Sequence, residues 1–212
     1  TDGAIRTMVP RLPEDGGDTY VEHWNGTRRI LVTPVSKDEL YLALTALDTD
    51  EAAKALPLRK DVWRESFPHL AGIIDRIGEN ARWDIFVTVK LWRWSSGRVA
   101  ILGDAAHAMA PNLGQGGGLA MQNGLSLATD MGSLSNPAAI PAALEAWEAR
   151  ERPLAEHTQT WSWLYGFLTT WPDDLRKKAF EIAAQEPWIV QQRFRTALSD
   201  PHGAHSRKEG AQ

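Results

Sequence analysis

The sequence predicts an α/β (α+β) fold, and three observations lead to that prediction. Two β-prone apolar runs flank a short polar turn between residues 28 and 47. A uniformly apolar run, Val99–Leu102, is followed by Gly103, an aspartate and a glycine-rich loop. Apolar residues then recur at helical spacing from Leu119 onward. We therefore expect a mostly antiparallel sheet, then a strand–loop–helix segment, and then C-terminal helices.

The domain organisation follows from changes in composition along the chain. Residues 1–95 are expected to form a sheet domain. Residues 96–150 are expected to hold the strand, the loop and the helix that follows it. Residues 151–212 are expected to form a helical cover that ends in a frayed polar tail.

The expected sheet begins with a hairpin. The runs RRILVTPV (Arg28–Val35) and ELYLALTAL (Glu39–Leu47) are both apolar and rich in β-prone residues. Only the polar residues 36–38 separate them, which is a turn length typical of hairpins. This pattern predicts two antiparallel neighbours.

Helices and a further strand are expected after the hairpin. Residues 51–55 and 61–77 have helical character, with interruptions at Pro57 and Pro68, where the ring and the missing N–H end helices. Residues 83–92 alternate between apolar and polar side chains, which predicts a strand with one buried face.

The apolar run Val99–Leu102 predicts a strand of a different kind. Because all four residues are apolar, we expect it to be buried on both faces within a parallel sheet. Helices are then expected over residues 119–134 and 140–155, with Pro153 bending or restarting the second one. The later helical pattern breaks at Pro172 and Pro187.

The composition limits the kinds of function that this chain is expected to have. The 212 residues with 43% hydrophobic content support a sizeable core, and the net charge of −4 gives no basic surface for nucleic acid. No apolar run reaches the roughly 18–20 residues that span a bilayer. The absence of Cys removes disulfides and thiolate chemistry and fits a cytoplasmic location. Redox chemistry would therefore need a cofactor.

The stretch GRVAILGDAAHAMAPNLGQGGGLAMQNGLSL (Gly97–Leu127) carries the chemistry. Asp104 follows the apolar strand, at the edge where α/β sheets place their ligands. Four glycines after Pro111 let the backbone approach a planar ligand, and the helix beginning near Leu119 directs free N–H groups and its positive dipole end at that ligand. Taken alone, Asp104 would favour a simpler role as N-cap of residues 105–109.

This stretch resembles the GD motif, the second flavin-binding fingerprint of the class A FAD-dependent aromatic hydroxylases related to para-hydroxybenzoate hydroxylase and salicylate hydroxylase. The resemblance implies part of a Rossmann-like FAD-binding domain beside a substrate-binding sheet. It implies that Asp104 accepts a hydrogen bond from a sugar-chain hydroxyl of FAD. It also implies that the loop and helix stabilise the flavin N1/C2=O edge, which becomes anionic on reduction. The implied cofactor-binding residues are Gly103, Asp104, Pro111, Gly114, Gln115, Gly116, Gly117, Gly118 and Leu119.

Two rival interpretations of the motif are weaker. GQGGG looks like a phosphate-binding loop, but it lacks the Lys-Ser/Thr of a Walker loop and the spacing of GxGxxG. Asp104 and His107 would supply only two metal ligands, and the family carries a His here without metal, so we expect a structural His107 and no metal. His202 and His205 lie in the polar tail and are expected to be solvated.

Two other parts of the chain bear on the resemblance. Asp2-Gly3 resembles the family's DG motif, which is linked to FAD and pyridine-nucleotide binding, but Arg6 stands where Ser is usual and Val9 where Arg is usual. Only Asp2 and Gly3 are therefore carried over. Gln122-Asn123 replaces a frequent acidic pair and is expected to affect the packing or capping of its helix.

The family's βαβ unit with GxGxxG, which holds the FAD pyrophosphate, does not occur in the 212 residues. A C-terminal fragment, one chain of a split enzyme and a degenerate protein without flavin are the three explanations. We favour an N-terminal companion, either a separate FAD-binding polypeptide or a missing N-terminal half. Without it, the apolar strand Val99–Leu102 would be exposed and prone to aggregate.

The resemblance implies an FAD-dependent monooxygenase that hydroxylates a small aromatic substrate, a phenol or an aromatic acid, with O2 and with NADH or NADPH as reductant. Residues 1–95 would supply the substrate cavity and later residues the flavin floor. No catalytic base is identified, and one or two of the ten Trp are candidates for an aromatic pocket. A flavoprotein that oxidises a non-aromatic substrate and a non-catalytic interaction module are the alternatives.

Overall fold

The computed structural model describes residues 2–79 and 81–204. The chain divides into two compact units. The sheet unit is Thr1–Phe86 with Leu168–Arg176, and the helical unit is Val87–Phe167 with Lys177–Gln212. The first long segment of the sheet unit ends at Phe86 rather than at residue 95, and the helical unit takes residues from both later regions. The roles given above to the three regions stay predictions.

The sheet unit is built on a five-stranded antiparallel sheet within the described residues, in the order β2-β3-β4-β1-β5. The strands are β1 Asp2–Pro10, β2 Val21–Asn25, β3 Arg28–Pro34, β4 Glu39–Leu47 and β5 Arg82–Ile85. β3 and β4 pair with Pro34 opposite Leu40, so the predicted hairpin and the mostly antiparallel sheet are confirmed.

The core of the sheet unit lies on one face of this sheet. Leu40, Leu42 and Leu44 alternate along β4 and are fully buried, as the period-two pattern predicts. They pack in one cluster with Trp63 and Phe67. The helices that cover this face are α1 Lys60–Ser66 and α2 Ala71–Asp75, separated by a 3₁₀ turn Pro68–Leu70. The interruption predicted at Pro68 is therefore confirmed.

The helix expected at residues 51–55 is wrong, because residues 51–54 form turns. The Asp50 carboxylate accepts a hydrogen bond from the backbone N–H of Ala53 at 3.1 Å. Arg28 Nε donates to the same carboxylate at 2.7 Å. The first of these bonds satisfies one backbone N–H of the turn. The turn does not extend into a helix because Pro57 follows, and proline disfavours helical backbone at the residue before it.

The strand expected at residues 83–92 forms only over β5. Beyond Phe86 the backbone finds partners outside the sheet: Val89 N–H donates to the Ala108 carbonyl at 3.0 Å. Gln159 Nε2 donates to the Val89 carbonyl at 2.7 Å. Since these groups are satisfied elsewhere, the alternating pattern does not extend the strand.

The helical unit begins with a short antiparallel pair, β6 Ser95–Ser96 and β7 Val99–Ala100, joined by a turn in which Gly97 has a φ of 58°. The prediction of a parallel strand buried on both faces is wrong for the described residues. Val99 is 67% exposed and Leu102 is 37% exposed. Burial on both faces needs parallel neighbours, and the described residues supply none.

Helices form the rest of the helical unit. They are α3 Asp104–His107, α4 Gly116–Gly132, α5 Ile140–Phe167, α6 Asp173–Gln185, α7 Pro187–Arg193 and α8 Arg195–Leu198. The first four residues of α6 belong to the sheet unit. The breaks predicted at Pro172 and Pro187 are confirmed. α5 does not restart at Pro153, because the loss of one bond to the Ala149 carbonyl is compatible with packing of the neighbouring Leu154 and Ala155.

Among the described residues, no helix combines the length and the apolar character that crossing a membrane requires.

A substitution at Gly3 tests how closely β1 packs against Trp83 of β5. A Cβ at this position would lie 2.4 Å from Trp83 Cζ2 and 2.8 Å from the Asp84 carbonyl oxygen. We expect Gly3→Ala to lower the free energy of unfolding by about 1–3 kcal/mol through overpacking. Urea denaturation followed by tryptophan fluorescence measures the change.

The matched control is Gly72→Ala in α2, where an added Cβ meets nothing within 4 Å. This change is expected to be neutral or stabilising by up to about 1 kcal/mol, because Ala is the better helix former. Equal changes in the free energy of unfolding for the two substitutions would contradict the close approach of Trp83 to Gly3.

Candidate functional site

Asp104 is the first residue of the segment that forms the candidate site. Gly103 has a φ of 61°, a left-handed conformation that side chains rarely adopt, and it caps α3. Asp104 is therefore the first residue of the helix rather than its N-cap. Its side chain is exposed and takes part in no hydrogen bond or ion pair with the part of the chain that the structure describes. This carboxylate can accept hydrogen bonds from a ligand.

The glycine-rich loop leads into α4 with little side-chain bulk. Residues 111–113 form a 3₁₀ turn, Gly114 adopts a left-handed φ of 66°, and Gln115 is the N-cap of α4. The helix begins at Gly116, earlier than the expected start near Leu119, because Leu119 N–H already donates to the Gln115 carbonyl at 2.9 Å. The first turn is therefore made of three consecutive glycines.

This first turn of α4 suits a flat ligand. A Cβ added at Gly117 or Gly118 would meet nothing within 4 Å, and one at Gly116 would meet only Met109 Cγ at 3.7 Å. The N–H groups at the start of a helix have no carbonyl partner within it, and the dipole makes this end positive. A ligand with a partly negative edge can therefore approach the backbone directly.

The remaining predicted residues divide between exposed and buried positions. Pro111 is exposed, whereas Leu119 is fully buried beside Ala106 and Trp147. The Leu119 side chain thus anchors α4 in the core. A Cβ at Gly103 would lie 3.5 Å from Ala120 Cβ, so the fold brings Gly103 next to α4. The ligand contacts assigned to all nine residues stay predictions.

One polar atom of Gln115 has no hydrogen-bond partner within residues 2–79 and 81–204. Its Nε2 donates to the Arg193 carbonyl at 2.5 Å. Its Oε1 is buried and accepts no hydrogen bond from the described residues. Buried polar atoms without partners are rare and call for an explanation such as a water molecule or a ligand group.

Sequence reasoning missed the residues that hold the loop. Ser162 Oγ donates to the Ala110 carbonyl at 2.5 Å, and Asn112 Nδ2 donates to the Ser162 carbonyl at 3.0 Å. Gln159 Nε2 donates to the Ala108 carbonyl at 3.0 Å. Both α5 side chains are buried, and polar residues that interrupt the buried stripe of a helix are the signal that would have revealed them.

His107 is a buried structural residue, as expected. It is 2% exposed, and its ring lies 5.1 Å from that of Trp94. Its Nε2 donates to the Asn123 side-chain oxygen at 2.9 Å. Burial lowers the pKa of His107, while a backbone hydrogen bond and the charge of Asp104 oppose this shift. The ring is therefore held neutral at pH 7.

Asn123 connects this histidine to α5. Its side-chain nitrogen donates to the Leu119 carbonyl at 3.2 Å and to Glu151 Oε2 at 3.3 Å. Its own carbonyl accepts from Trp147 Nε1 at 3.2 Å. The position that departs from the family's acidic pair thus contributes to packing, as expected.

The Glu151 carboxylate accepts hydrogen bonds from side chains on two helices. Ser126 Oγ donates to Glu151 Oε1 at 2.6 Å, and Arg150 Nε donates to the same oxygen at 3.0 Å. Arg150 also pairs with Asp130 at 2.5 Å, and Asp130 lies 3.2 Å from Nε2 of His202, which is 43% exposed. No group of three or more potential metal ligands occurs within residues 2–79 and 81–204. His205 lies outside the described residues.

Asp2 and Gly3 belong to the sheet unit, at the start of β1. Asp2 Oδ2 lies 3.9 Å from Arg29 Nη2, and burial raises the pKa of Asp2. The close approach of Trp83 accounts for the glycine at position 3. A role for these two residues in cofactor binding stays a prediction.

The exposed Asp104 and the open glycine turn both lie within the range that a sequence-family model covers. A sequence-family model described as an FAD binding domain matches residues 11–162. The chain therefore belongs to this FAD-binding family, and the resemblance to FAD-dependent aromatic hydroxylases is confirmed.

The relatives are monooxygenases and synthases of ring compounds. AqdB1 of Rhodococcus erythropolis, assigned as a 2-heptyl-3-hydroxy-4(1H)-quinolone synthase, is 44% identical over 207 residues, which is 96% of this chain and 54% of that protein. The 2-heptyl-3-hydroxy-4(1H)-quinolone synthase of Mycobacteroides abscessus is 39% identical over 82% of this chain and 47% of its own length. The chain thus spans about half the length of these curated relatives.

Solved structures share the fold. The tetrameric form of 2-methyl-3-hydroxypyridine-5-carboxylic acid oxygenase superposes with a TM-score of 0.75 at 34% identity. The match covers 94% of this chain and 52% of the oxygenase. The predicted fold class, an antiparallel sheet with part of an FAD-binding domain and C-terminal helices, is confirmed by this likeness.

The neutral state of His107 predicts a pH dependence of stability. Its folded pKa is lowered, so its contribution is complete above the unfolded pKa of about 6.5 and is lost as the pH falls towards the folded value. Urea denaturation at roughly pH 7.5 and pH 5.5 should therefore give a lower free energy of unfolding at the acidic pH.

His107→Gln keeps a donor for Asn123 but does not titrate, so it should flatten this pH dependence in part. The pH dependence that remains in this variant includes the contribution of His23, whose pKa is lowered by burial and by the neighbouring His69. An unchanged difference between the two pH values in His107→Gln would show that His107 is not held neutral.

Proposed function

We propose that this chain supplies the flavin-contacting part of an FAD-dependent monooxygenase that hydroxylates an aromatic ring. The observation that carries the proposal is the strand–α3–loop–α4 segment, with an exposed Asp104 at one end and an open turn of glycines, Gly116–Gly118, at the other. The FAD-binding family to which the chain belongs supports FAD as the ligand.

The residues present fit the cofactor. Asp104 would accept a hydrogen bond from a hydroxyl of the FAD sugar chain. The N–H groups of the glycine turn would face the N1/C2=O edge of the flavin and stabilise the negative charge that reduction creates there. The unsatisfied Gln115 Oε1 supports a further polar group next to this turn.

The reaction proposed for the whole protein balances as follows: an aromatic C–H, O2, NADH or NADPH and one proton give the C–OH product, water and oxidised nicotinamide. FAD, when bound, supplies the electron transfer from the nicotinamide and the activation of O2. The chain's own task is to orient the flavin and to hold the Pro111 loop, which the family places beside the reacting ring. The bonds from Ser162 and Gln159 support that positioning role.

The relatives suggest a substrate class for this chain. Two proteins at 44% and 39% identity are named for making 2-heptyl-3-hydroxy-4(1H)-quinolone. Introduction of the 3-hydroxyl into 2-heptyl-4(1H)-quinolone is an aromatic hydroxylation of the proposed kind. We therefore extend the proposal from phenols and aromatic acids to alkylated, oxygenated nitrogen heterocycles.

A second part of the protein would complete the cofactor site. We propose an N-terminal FAD-binding half or companion polypeptide that holds the FAD pyrophosphate through a GxGxxG helix. Val99 at the start of β7 and Leu102 just after this strand are exposed apolar residues, and a companion chain that covers them would remove an aggregation-prone surface, which supports this proposal. The absence of Cys supports a reducing, cytoplasmic location.

Oxygen labelling tests the proposed reaction. The native protein is given FAD, NADH or NADPH, 2-heptyl-4(1H)-quinolone and ¹⁸O2, and the products are analysed by mass spectrometry. One labelled oxygen in the ring product and substrate-stimulated oxidation of the nicotinamide are expected. Labelled peroxide without a labelled organic product would contradict hydroxylation of this substrate class and would favour an oxidase reaction.

A further inference from the structure

The sheet unit contains a cavity of about 360 Å³ beside its edge strand β2. Val21 and Val32, which lie opposite each other on β2 and β3, form one apolar wall. Leu70 and Ile73, from the 3₁₀ turn and α2, form another. All residues that line the cavity belong to the sheet unit. Its volume lies within the range of pockets that bind small molecules.

A loop of residues 14–19 forms a further wall of this cavity, and Arg11 holds the loop in place. Arg11 Nη2 donates to the Gly16 carbonyl at 3.1 Å and to the Gly17 carbonyl at 3.2 Å. The backbone N–H of Arg11 donates to the Asp38 carbonyl at 2.8 Å, which joins the base of the loop to the β3–β4 turn. The wall is therefore already formed, as is usual in ligand sites.

Arg76 and Asp15 give the cavity a polar wall. Arg76 Nη2 donates to Asp15 Oδ2 at 2.5 Å, and the same oxygen accepts from the Leu12 N–H at 2.6 Å. The charge of Arg76 is thus balanced by a carboxylate that is 3% exposed. Arg76 Nε, however, is buried and has no acceptor within residues 2–79 and 81–204. Such an atom calls for an acceptor from a water molecule or a ligand.

Two histidines give the cavity a second polar group. His23 on β2 and His69 in the 3₁₀ turn both line it, and His23 Nδ1 lies 3.0 Å from His69 Nε2. When both rings are neutral, one N–H is shared between these two nitrogens. The outer nitrogens, His23 Nε2 and His69 Nδ1, then present one donor and one acceptor, and exchange of both tautomers swaps these roles. The pair can therefore match either a donor or an acceptor on a ligand.

We propose that this cavity is a second small-molecule site of the protein, which takes a neutral, planar heterocycle with a carbonyl group at one end and a ring N–H at the other. The compound 4(1H)-quinolone has this form. Its carbonyl would accept a hydrogen bond from Arg76, and its N–H would donate to the histidine pair. The ring would lie between the apolar walls, where burial stabilises it.

Charge and length support this ligand class. Arg76 is already balanced by Asp15, and the exposed carboxylate of Glu14 in the cavity wall disfavours an anion. His69 and Arg76 are seven residues apart along the 3₁₀ turn and α2, roughly 10–12 Å of helical rise. A fused bicyclic ring with one hydrogen bond of about 3 Å at each end has a comparable length.

The site shares no lining residue with the flavin-contacting segment Gly103–Leu119, which belongs to the helical unit. A compound in the cavity is therefore a ligand that stabilises the folded sheet unit and is not consumed. This inference does not depend on the proposed reaction.

The test measures binding to the native, flavin-loaded protein by calorimetry while the flavin absorbance is recorded. The compounds are 4(1H)-quinolone, 1-methyl-4-quinolone, which lacks the N–H, and quinoline-4-carboxylate, which is an anion. Gly72→Leu fills the cavity, because Gly72 lines it and an added Cβ meets nothing within 4 Å. Gly78→Leu is the matched control, since its Cβ also meets nothing within 4 Å but Gly78 lies outside the lining.

Gly72→Leu should raise the Kd of 4(1H)-quinolone by at least about tenfold, and Gly78→Leu should leave it unchanged. The two altered compounds should each bind the wild-type protein about tenfold more weakly. His69→Leu should weaken quinolone binding, whereas His69→Gln should retain most of it, because the Gln amide also offers a donor and an acceptor. The quinolone should raise the urea midpoint of the wild-type protein.

Equal quinolone Kd values in Gly72→Leu, Gly78→Leu and the wild-type protein would overturn the proposal. A change in flavin absorbance with such equal values would place the compound at the flavin instead. Tighter binding of the carboxylate than of the quinolone would overturn the neutral ligand class. If Gly72→Leu alone lowers the urea midpoint in the absence of ligand, the comparison of His69→Leu with His69→Gln decides, and equal Kd values in these two variants would contradict the site. None of these outcomes depends on hydroxylation, which the oxygen-labelling experiment tests separately.

Discussion

The attachment of residues 108–112 to α5 is the constraint on which the candidate site depends. This segment has no regular strand partner among the described residues, so side-chain donors replace a sheet ladder. Gln159 bonds to the carbonyls of Val89 and Ala108, and Ser162 bonds to that of Ala110. Hydrogen bonds of this kind contribute about 1 kcal/mol each, and leaving a buried partner unsatisfied costs more. They fix the loop before α4 in one position.

A second, buried set of polar contacts fixes the start of α4 from behind. His107 belongs to the same helical turn as Asp104, and it bonds to Asn123, which in turn bonds to Glu151. Because these hydrogen bonds are buried, they hold α3, α4 and α5 in one arrangement. The glycines of the first turn of α4 are then left without side chains at the point where a flat ligand would contact the backbone. The buried network thus supports one side of this turn, and the glycines leave its backbone open on the other side. Preorganised electrostatic stabilisation requires both features.

The sequence predicted much of this architecture because its signals are local. The hairpin of β3 and β4 followed from alternation around a short polar turn, and the ends of the helices followed from Pro68, Pro172 and Pro187. The prediction failed where partners are distant in sequence. Val99–Leu102 has the composition of a doubly buried strand, but the neighbours that would bury it are not among the described residues. The alternating residues after Phe86 leave the sheet because Gln159, far along the chain, binds their backbone.

The motif could be identified from the sequence because Asp104 and the glycines have a specific spacing. The residues that support the loop could not be identified in this way. Ser162, Gln159 and Asn123 are ordinary polar residues whose role depends on which helix faces which.

Asp104 and the glycine turn are proposed to hold FAD. Native mass spectrometry of the purified protein, supplied with FAD, tests this proposal directly. We expect a complex of the 23.5 kDa chain with its N-terminal companion and one FAD, or a longer chain that contains both parts with one FAD. Asp104→Ala should lose FAD, whereas Asp38→Ala, a change at an exposed carboxylate in the β3–β4 turn, should retain it. A protein with both parts present that takes up no FAD, or that binds it equally in the two variants, would contradict the account.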